Sequence, residues 1–142
     1  MRQPSAEFIF PPPKHTIMSH GNRPKVLCVE DNDDECDLVT EILSAYDVIC
    51  VPTVAQGCSL VGTTKFALIV MDEHLPDGSG LELCSRLSRT NADTPVIIIS
   101  GDTYITAEEA AAAGAKAFLP KSKITFVNDL RHLVKAYAAT AA

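Results

Sequence analysis

The sequence predicts a single α/β domain with a doubly wound parallel sheet, whose five strands are covered by helices on both faces. Three observations indicate this. Five short apolar runs alternate along the chain with five stretches whose apolar residues recur at helical spacing. The runs are almost continuously apolar, as in strands that are buried on both faces. The 142 residues, of which 46% are hydrophobic, are enough for one domain with its own core.

The predicted strands are short segments rich in Val, Ile and Leu. The fourth of them has the sequence PVIII, and its β-branched residues suit a strand inside a sheet. In chain order the strands are Lys25–Val29, Val48–Val51, Phe66–Met71, Pro95–Ile99 and Lys116–Leu119. Short connections join each strand to a helix, so the chain forms repeated strand–helix units.

Four of the predicted helices begin with the spacing of a capping box, in which a polar residue precedes a Glu or Gln by three positions. The pairs are Asn32 and Glu35, Thr53 and Gln56, Ser79 and Glu82, and Thr106 and Glu109. The first helix is predicted to end at Tyr46, the second at Val61 and the fourth at Gly114. The apolar faces comprise Leu38, Val39, Ile42, Leu43 and Tyr46 in the first helix, Leu83, Cys84 and Leu87 in the third, and Phe126, Val127, Leu130, Leu133, Val134 and Tyr137 in the last.

Composition divides the chain into three parts. Residues 1–24 contain five prolines and little periodicity, which predicts a flexible, proline-rich N-terminal extension. Residues 25–138 form the predicted domain, and residues 139–142 form a C-terminal tail.

The overall charge and the apolar runs limit the classes of function. Twelve basic and 18 acidic residues give a net charge of −6, which argues against non-specific nucleic-acid binding. No apolar run approaches the roughly 20 residues of a membrane span, and the first ten residues do not resemble a secretory signal. These features predict a cytoplasmic protein. Its five cysteines have no disulfide or zinc spacing and are expected to be small buried residues.

Polar side chains follow four of the five predicted strands. Glu30 and Asp31 follow the first strand, Asp72 the third, Ser100 the fourth, and Lys121 lies just after the fifth. Ligands of open parallel sheets bind outside the carboxyl ends of the strands. We therefore expect these five groups to share one edge of the sheet.

These groups suit phosphate chemistry. Neighbouring carboxylates repel one another, and Mg²⁺ relieves the repulsion while leaving positions for water and phosphate oxygens. The ammonium group of Lys121 can bind a phosphoryl oxygen, and the Ser100 hydroxyl can donate a hydrogen bond. Asp72, in the middle of the set, can then attack phosphorus and carry an acyl phosphate.

Four segments of the chain resemble the receiver domain of two-component response regulators. They are VLCVEDN (Val26–Asn32), LIVMDEHLPDGSGLEL (Leu68–Leu83), PVIIISG (Pro95–Gly101) and GAKAFLPKS (Gly114–Ser122). They occur in order within the five strand–helix units, and the resemblance extends from Lys25 to Tyr137. It implies a flavodoxin-like (βα)5 sandwich with strand order 2-1-3-4-5.

The resemblance also implies an acceptor and a metal site. Asp72 resembles the phosphoacceptor, Asp31 the direct Mg²⁺ ligand, and Glu30 a second acid that often acts through water. The backbone carbonyl of His74 would be the third protein ligand, and the side chain of His74 is expected to border the site.

The remaining implied roles concern switching. Ser100 and Lys121 resemble the pair that senses the phosphoryl group, and Phe118 stands at the position of the switch aromatic. The phosphoryl group would come from a sensor histidine kinase or a histidine phosphotransfer protein. A downstream protein would bind the face formed by the fourth helix, fifth strand and fifth helix, and a homodimer is compatible with this scheme. Neither a membrane nor direct nucleic-acid binding is implied, and the only reactions implied are self-phosphorylation and dephosphorylation.

The sequence departs from the family pattern at four positions. Glu30 replaces the more common Asp, Ser100 the common Thr, and Phe118 the common Tyr, so a phenolic hydrogen bond is lost. Ser122 follows Lys121 where Pro is usual. Because a cis bond before a non-proline residue costs about 2.5–4 kcal/mol, we expect the Lys121–Ser122 bond to be trans.

Two alternatives remain open at this point. A Mg²⁺-dependent phosphatase of the haloacid-dehalogenase type also uses an Asp nucleophile, but usually has a second Asp two residues later, where this chain has His74. The other is a receiver-like interaction module that is never phosphorylated, against which the intact acid, hydroxyl and lysine set argues. The chain is expected to be a stand-alone receiver or a part of a larger regulator or hybrid kinase.

Overall fold

The computed structural model describes residues 23–91, 93–101 and 105–141. Nearly all of the predicted N-terminal extension lies outside these ranges. The last helix, Phe126–Ala141, runs past residue 139, where the sequence predicted the beginning of a tail.

Five parallel strands form the central sheet. The described residues contain seven strands in chain order: β1 (Lys25–Val29), β2 (Asp47–Val51), β3 (Leu68–Asp72), β4 (His74–Leu75), β5 (Gly78–Ser79), β6 (Val96–Ser100) and β7 (Ala117–Pro120). The sheet order is β2-β1-β3-β6-β7, and β4 and β5 form a separate antiparallel hairpin. Without that hairpin, the order is the 2-1-3-4-5 expected from the resemblance, so the flavodoxin-like fold is confirmed.

Three strands extend one residue beyond the predicted apolar runs, and this affects the site. The ladder includes Asp72 at the end of β3, Ser100 at the end of β6 and Pro120 at the end of β7. The sequence prediction stopped at the last apolar side chain, whereas pairing is made by the backbone. Asp72 and Ser100 are therefore held by the sheet itself.

Five helices cover the sheet: α1 (Asp33–Ile42), α2 (Val54–Thr63), α3 (Gly80–Thr90), α4 (Ala107–Ala112) and α5 (Phe126–Ala141). All four predicted N-caps are confirmed, because the side chains of Asn32, Thr53, Ser79 and Thr106 each accept a hydrogen bond from the backbone three residues later. The prediction that α1 continues to Tyr46 is wrong. The helix ends at Ile42, and a turn follows in which the Tyr46 N–H donates to the carbonyl of Leu43.

Alternate residues of the strands divide the core into two parts, one on each face of the sheet. One part lies under α1 and α5 and includes Val26, Cys28, Leu68, Val70, Ile97, Ile99, Val39, Ile42, Leu130 and Val134. The other lies under α3 and α4 and includes Leu27, Val29, Ile69, Met71, Ile98, Leu83, Cys84, Leu87 and Ala110. Two assignments to the apolar faces are wrong, since Leu38 and Val127 are 44% and 37% exposed. Both lie at the margin of a helical stripe, on the solvent side.

Gly114 ends α4 as expected. Its φ of 105° lies in the left-handed region, where glycine is strongly favoured. A Cβ atom there would also lie 1.9 Å from Ser88 Oγ, which donates a hydrogen bond to the carbonyl of Ala113. The end of α4 is thus joined to α3.

The cysteine prediction is only partly correct. All five cysteines are free; Cys28 and Cys84 are buried, whereas Cys36, Cys50 and Cys58 are partly exposed. Among the helices that the structure describes, none is long and apolar enough to span a bilayer.

Candidate functional site

The site lies at the edge of the sheet where β1, β3, β6 and β7 end. Asp72 and Ser100 are the last residues of β3 and β6, and Glu30 directly follows β1. Glu30, Asp72 and Ser100 are only 2%, 7% and 2% exposed, whereas Asp31 is exposed. The parallel strands therefore bring together side chains that are far apart in the sequence, with Asp31 on the solvent side.

Three carboxylates form a compact group. One oxygen from each of Glu30, Asp31 and Asp72 lies within 4.8 Å of the other two. Mg²⁺ prefers oxygen ligands and is usually held by one or two carboxylates together with waters. An acidic group alone is no proof of a metal, but two of these carboxylates are buried close together, which costs free energy unless a cation lies nearby. The residues present fit Mg²⁺.

Lys121 provides the positive charge within this group. Its Nζ atom lies 3.1 Å from Asp72 Oδ1 and 3.3 Å from Glu30 Oε1. The backbone N–H of Lys121 also donates a hydrogen bond of 2.9 Å to the backbone carbonyl of Ser100, which fixes the loop after β7 to the end of β6. The described residues contain no cis peptide bond, so the expected trans bond between Lys121 and Ser122 is confirmed.

Glu35 is a member of the site that sequence reasoning missed. It was interpreted only as a partner of the Asn32 cap, and its N–H does donate to Asn32 Oδ1. Its side chain, however, points to Lys121 and forms an ion pair with Nζ. Its place in the first turn of α1, which begins at the edge of the site, was the one signal that could have suggested this contact.

The pKa values of these groups reflect burial and mutual attraction. Burial raises the pKa of Glu30 to about 7; the Asp72 charge adds to the rise, while the Asn32 N–H and Lys121 oppose it. Burial also raises the pKa of Asp72, despite the attraction of Lys121. Burial alone would lower the pKa of Lys121, but the hydrogen bond to Glu35 and the charges of Asp72 and Glu30 raise it above the ordinary value. Lys121 therefore stays charged, and added positive charge would favour the ionised carboxyls.

The backbone around Asp72 is fixed from two sides. The Glu73 N–H donates to the carbonyl of Ile99, and the Gly80 N–H donates to the carbonyl of Glu73. The buried Glu73 side chain accepts a hydrogen bond from the N–H of Leu81 in the first turn of α3. A Cβ atom on Gly80 would lie 2.3 Å from the Asp72 carbonyl oxygen. The absence of a side chain at Gly80 therefore lets α3 start directly against Asp72.

Asp77 holds the turn between β4 and β5 against α2. Its two carboxylate oxygens accept hydrogen bonds of 2.8 and 3.0 Å from the N–H groups of Val54 and Ala55. These bonds lower the pKa of Asp77. The turn that follows Asp72 is thus anchored to the beginning of a neighbouring helix.

The other predicted site residues lie on the same edge or next to it. Ser100 is buried at the end of β6, next to β3, the strand that ends at Asp72. His74 is exposed in β4 and pairs with Ser79. Phe118 lies in β7, is partly buried and packs against the core under α3 and α4. Their implied roles in metal binding and switching remain predictions.

A sequence model of the response regulator receiver domain matches residues 26–135 of this chain. The response regulator protein PilR of Pseudomonas aeruginosa is 34% identical over 103 residues, which cover 70% of this chain and 23% of PilR. The chain thus spans less than a quarter of the length of that relative.

Solved structures show the same fold. The receiver domain of the Francisella response regulator 1452 is 24% identical, with a TM-score of 0.76 over 84% of this chain and 99% of that one. The response regulator TrrA of Thermotoga maritima, solved in complex with Mg²⁺-BeF, is 20% identical, with a TM-score of 0.72 over 80% of this chain and 98% of that one. Neither the phosphatase nor the unphosphorylated interaction module is favoured by these matches. From the match over residues 26–135 and the identity to PilR, the chain belongs to the family of response regulator receiver domains, the phosphoacceptor modules of two-component signalling.

Proposed function

We propose that Asp72 of this chain accepts a phosphoryl group from a histidine kinase or a histidine phosphotransfer protein in the cytoplasm. One observation carries this assignment. Asp72 Oδ1 lies 3.1 Å from Lys121 Nζ, and Asp72 shares a group of oxygens within 4.8 Å with Glu30 and Asp31. A nucleophilic carboxylate thus lies between a cation and a set of metal-ligating oxygens.

In the proposed reaction, a carboxylate oxygen of Asp72 attacks the phosphorus of a phosphohistidine. The O–P bond forms, the N–P bond breaks, and the imidazole leaves and takes up a proton. Lys121 is charged and close enough to Asp72 to bind an oxygen of the incoming group. Glu30, Asp31 and Asp72 would hold Mg²⁺, together with the backbone carbonyl of His74. When bound, Mg²⁺ supplies positive charge that offsets the charge on the phosphoryl oxygens.

Phosphorylation would redistribute the contacts of Lys121. A phosphoryl group adds about −1.5 to −2 charges at neutral pH. In the unphosphorylated chain, Lys121 is shared among the carboxylates of Glu30, Glu35 and Asp72. The new oxygens would compete for the ammonium group and for the hydroxyl of Ser100. The backbone N–H of Lys121 is hydrogen-bonded to the backbone carbonyl of Ser100. A shift in the position of either residue would therefore also shift β7, Phe118 and the face formed by α4, β7 and α5.

Exposed apolar side chains support a protein as the donor. Leu38 and Lys121 line the same cavity of about 200 Å³, together with Phe126. Ile124 is 99% exposed and Val127 is 37% exposed, and both follow Lys121 closely in the chain. We infer that the donor protein contacts these side chains while its phosphohistidine reaches Asp72.

The test uses the purified chain with Mg²⁺ and acetyl phosphate, and records the intact mass. The expected result is a labile gain of about 80 Da, the mass of one phosphoryl group on an acyl phosphate. The gain should be lost when Mg²⁺ is chelated and in Asp72→Asn. Asn is matched in size and cannot form the acyl phosphate.

A second variant tests whether loss of any nearby acid would have the same effect. Glu82→Gln changes an acid in the first turn of α3 that does not belong to the three-carboxylate group, and it should gain the same mass as the wild type. Circular dichroism on Asp72→Asn shows that this variant is folded. A gain that persists in Asp72→Asn would move the acceptor to another residue. If neither acetyl phosphate nor a panel of phosphorylated histidine phosphotransfer proteins labels the chain, the proposal fails.

A further inference from the structure

Three cysteines lie together beside the carboxylate group. Cys28 on β1 and Cys50 on the edge strand β2 are paired in register, and Cys36 lies on α1 above them. The thiol of Cys50 interacts electrostatically with those of both Cys28 and Cys36. Cys36 Sγ also donates to the carbonyl oxygen of Glu30 at 3.3 Å. This is the only thiol cluster for which the described residues show such contacts, and the proposed function uses none of its members.

Two of the three thiols can be reached from solvent. Cys36 and Cys50 are partly exposed and line one cavity of about 400 Å³, whereas Cys28 is fully buried. Cys36 and Cys50 therefore interact with each other and open into the same space. That combination favours chemistry that joins the two sulfurs.

The cavity also selects the kind of reagent that can enter. Its other lining residues include the acids Glu30, Asp33 and Asp37, and no Lys or Arg lines it. This lining disfavours anionic disulfides such as oxidised glutathione and admits a small neutral oxidant. Among the described residues, the group with metal-ligand spacing is Glu30, Asp31 and Asp72, which contains no cysteine. A thiolate metal centre is therefore not the chemistry that this geometry supports.

Hydrogen bonding within the cluster makes Cys50 the more reactive of the two accessible thiols. The hydrogen bond from Cys28 lowers the pKa of Cys50 to about 7, with help from Cys36 and against partial burial and the charge of Asp37. Since the thiolate is the nucleophile, Cys50 is expected to react first.

We propose that Cys36 and Cys50 form an oxidative modification site, which hydrogen peroxide converts to an intramolecular disulfide. The Cys50 sulfur attacks one peroxide oxygen, the O–O bond breaks, and Cys50 sulfenic acid forms as water leaves. The Cys36 sulfur then attacks the Cys50 sulfur, the S–S bond forms, and a second water leaves. In total, two thiols and one peroxide give one disulfide and two waters.

This modification would change a contact of Glu30, a member of the carboxylate group. A disulfide has no S–H, so the hydrogen bond from Cys36 to the Glu30 carbonyl would be lost. Cys36 also follows Glu35, the α1 residue that forms the ion pair with Lys121. The disulfide thus joins the first turns of α1 to the edge strand β2.

The experiment treats the full chain with a small excess of hydrogen peroxide, blocks the remaining thiols with N-ethylmaleimide, and maps non-reduced peptides by mass spectrometry. We expect two of the five free thiols to be lost and the Cys36 and Cys50 peptides to be cross-linked. Dithiothreitol should reverse the change. Cys36→Ser, whose hydroxyl can still donate to the Glu30 carbonyl, should form no cross-link and retain a Cys50 that oxidises to sulfenic acid.

Cys58→Ser is the matched control. Cys58 is a partly exposed cysteine on α2 that does not line the cavity, so this variant should cross-link like the wild type. Circular dichroism on each variant shows that it is folded. A cross-link between Cys28 and Cys50, only intermolecular disulfides, or retention of all five thiols in the peroxide-treated chain would each overturn the proposal.

Discussion

Lys121 Nζ lies 3.1 Å from Asp72 Oδ1, yet the same ammonium group also contacts Glu30 and Glu35. One cation therefore serves three carboxylates. Any change in the number of these acids alters how much of Lys121 is available to Asp72, and the first prediction follows from this.

Glu35→Gln should accelerate phosphoryl uptake from acetyl phosphate. The substitution removes a competitor for Lys121 and a negative charge that raises the pKa of Asp72. We expect a rate about two- to tenfold higher, since tenfold corresponds to about 1.4 kcal/mol in the barrier. The measurement is the initial rate of mass gain at a fixed Mg²⁺ concentration.

Asp34→Asn is the control for this prediction. Asp34 lies in the same first turn of α1 and is exposed, so its substitution changes the net charge equally without touching the Lys121 contacts. It should leave the rate near that of the wild type. A rate in Glu35→Gln that is equal to or below that of Asp34→Asn would show that Glu35 does not compete for Lys121.

Glu30 should make the metal-free protein less stable as the pH rises. Its pKa is about 7 in the folded protein and 4.5 as an ordinary value, so the folded state binds more protons between these limits. The contribution of protonated Glu30 to the free energy of unfolding is therefore fully present below pH 4.5 and is lost as the pH rises through about 7. The loss from this carboxyl should be about 1–3 kcal/mol. Urea unfolding in EDTA at about pH 5 and about pH 8 measures it.

Glu30→Gln tests the origin of that slope. The amide oxygen can still accept from the Asn32 N–H, but the side chain no longer titrates. The variant should be more stable than the wild type at the higher pH and should lose most of the slope in this window. If the free energy of unfolding of Glu30→Gln fell with pH as steeply as that of the wild type, a group other than Glu30 would be responsible for the slope.

Gly80→Ala should destabilise the chain and displace Asp72. The new Cβ atom would lie 2.3 Å from the Asp72 carbonyl oxygen, a backbone atom that cannot rotate away. We expect a loss of about 1–3 kcal/mol, the usual cost of overpacking, together with slower phosphoryl uptake. Urea unfolding and the rate of mass gain measure the two effects.

Gly62→Ala is the control for Gly80→Ala, because the same substitution is expected to stabilise the protein at this position. Gly62 lies inside α2, and a Cβ atom there meets nothing within 4 Å. Alanine should stabilise that helix by about 0.5–1 kcal/mol with no change in uptake. If the two variants unfolded at the same urea concentration, the close approach at Gly80 would not have the effect assigned to it.

The sequence predicts most of this fold because its signals are local. An N-cap such as Ser79 and a strand such as β6 can be recognised from a few neighbouring residues. The carboxyl-end rule for parallel sheets then brings Glu30, Asp72 and Ser100 together without any knowledge of tertiary contacts.

What the sequence missed depends on packing between elements. Helical periodicity locates an apolar stripe but not its margins, and for this reason Leu38 and Val127 were assigned to the core although they face solvent. The contact between Glu35 and Lys121 depends on where α1 starts relative to the loop after β7, and no local pattern reports that position. The same is true of Cys36 and Cys50, whose shared cavity joins a helix to an edge strand.

Thr106→Ala should loosen α4 more than it lowers global stability. This helix has six residues and buries Ala110, and its first turn is closed by a complete capping box between Thr106 and Glu109. Loss of such a cap costs about 0.5–2 kcal/mol. We expect faster amide exchange confined to α4, measured by hydrogen–deuterium exchange, because a short helix with little buried surface opens locally.

Thr53→Ala is the comparison that makes this result specific. The Thr53 hydroxyl likewise accepts a hydrogen bond at the start of α2, from the Gln56 N–H, but Asp77 also accepts hydrogen bonds from the N–H groups of Val54 and Ala55 there. The second cap should keep α2 protected, so exchange in α2 should rise less than exchange in α4 does in Thr106→Ala. Equal increases in the two helices would mean that Asp77 contributes little as a cap. No increase in α4 would show that this helix is held by contacts other than its capping box.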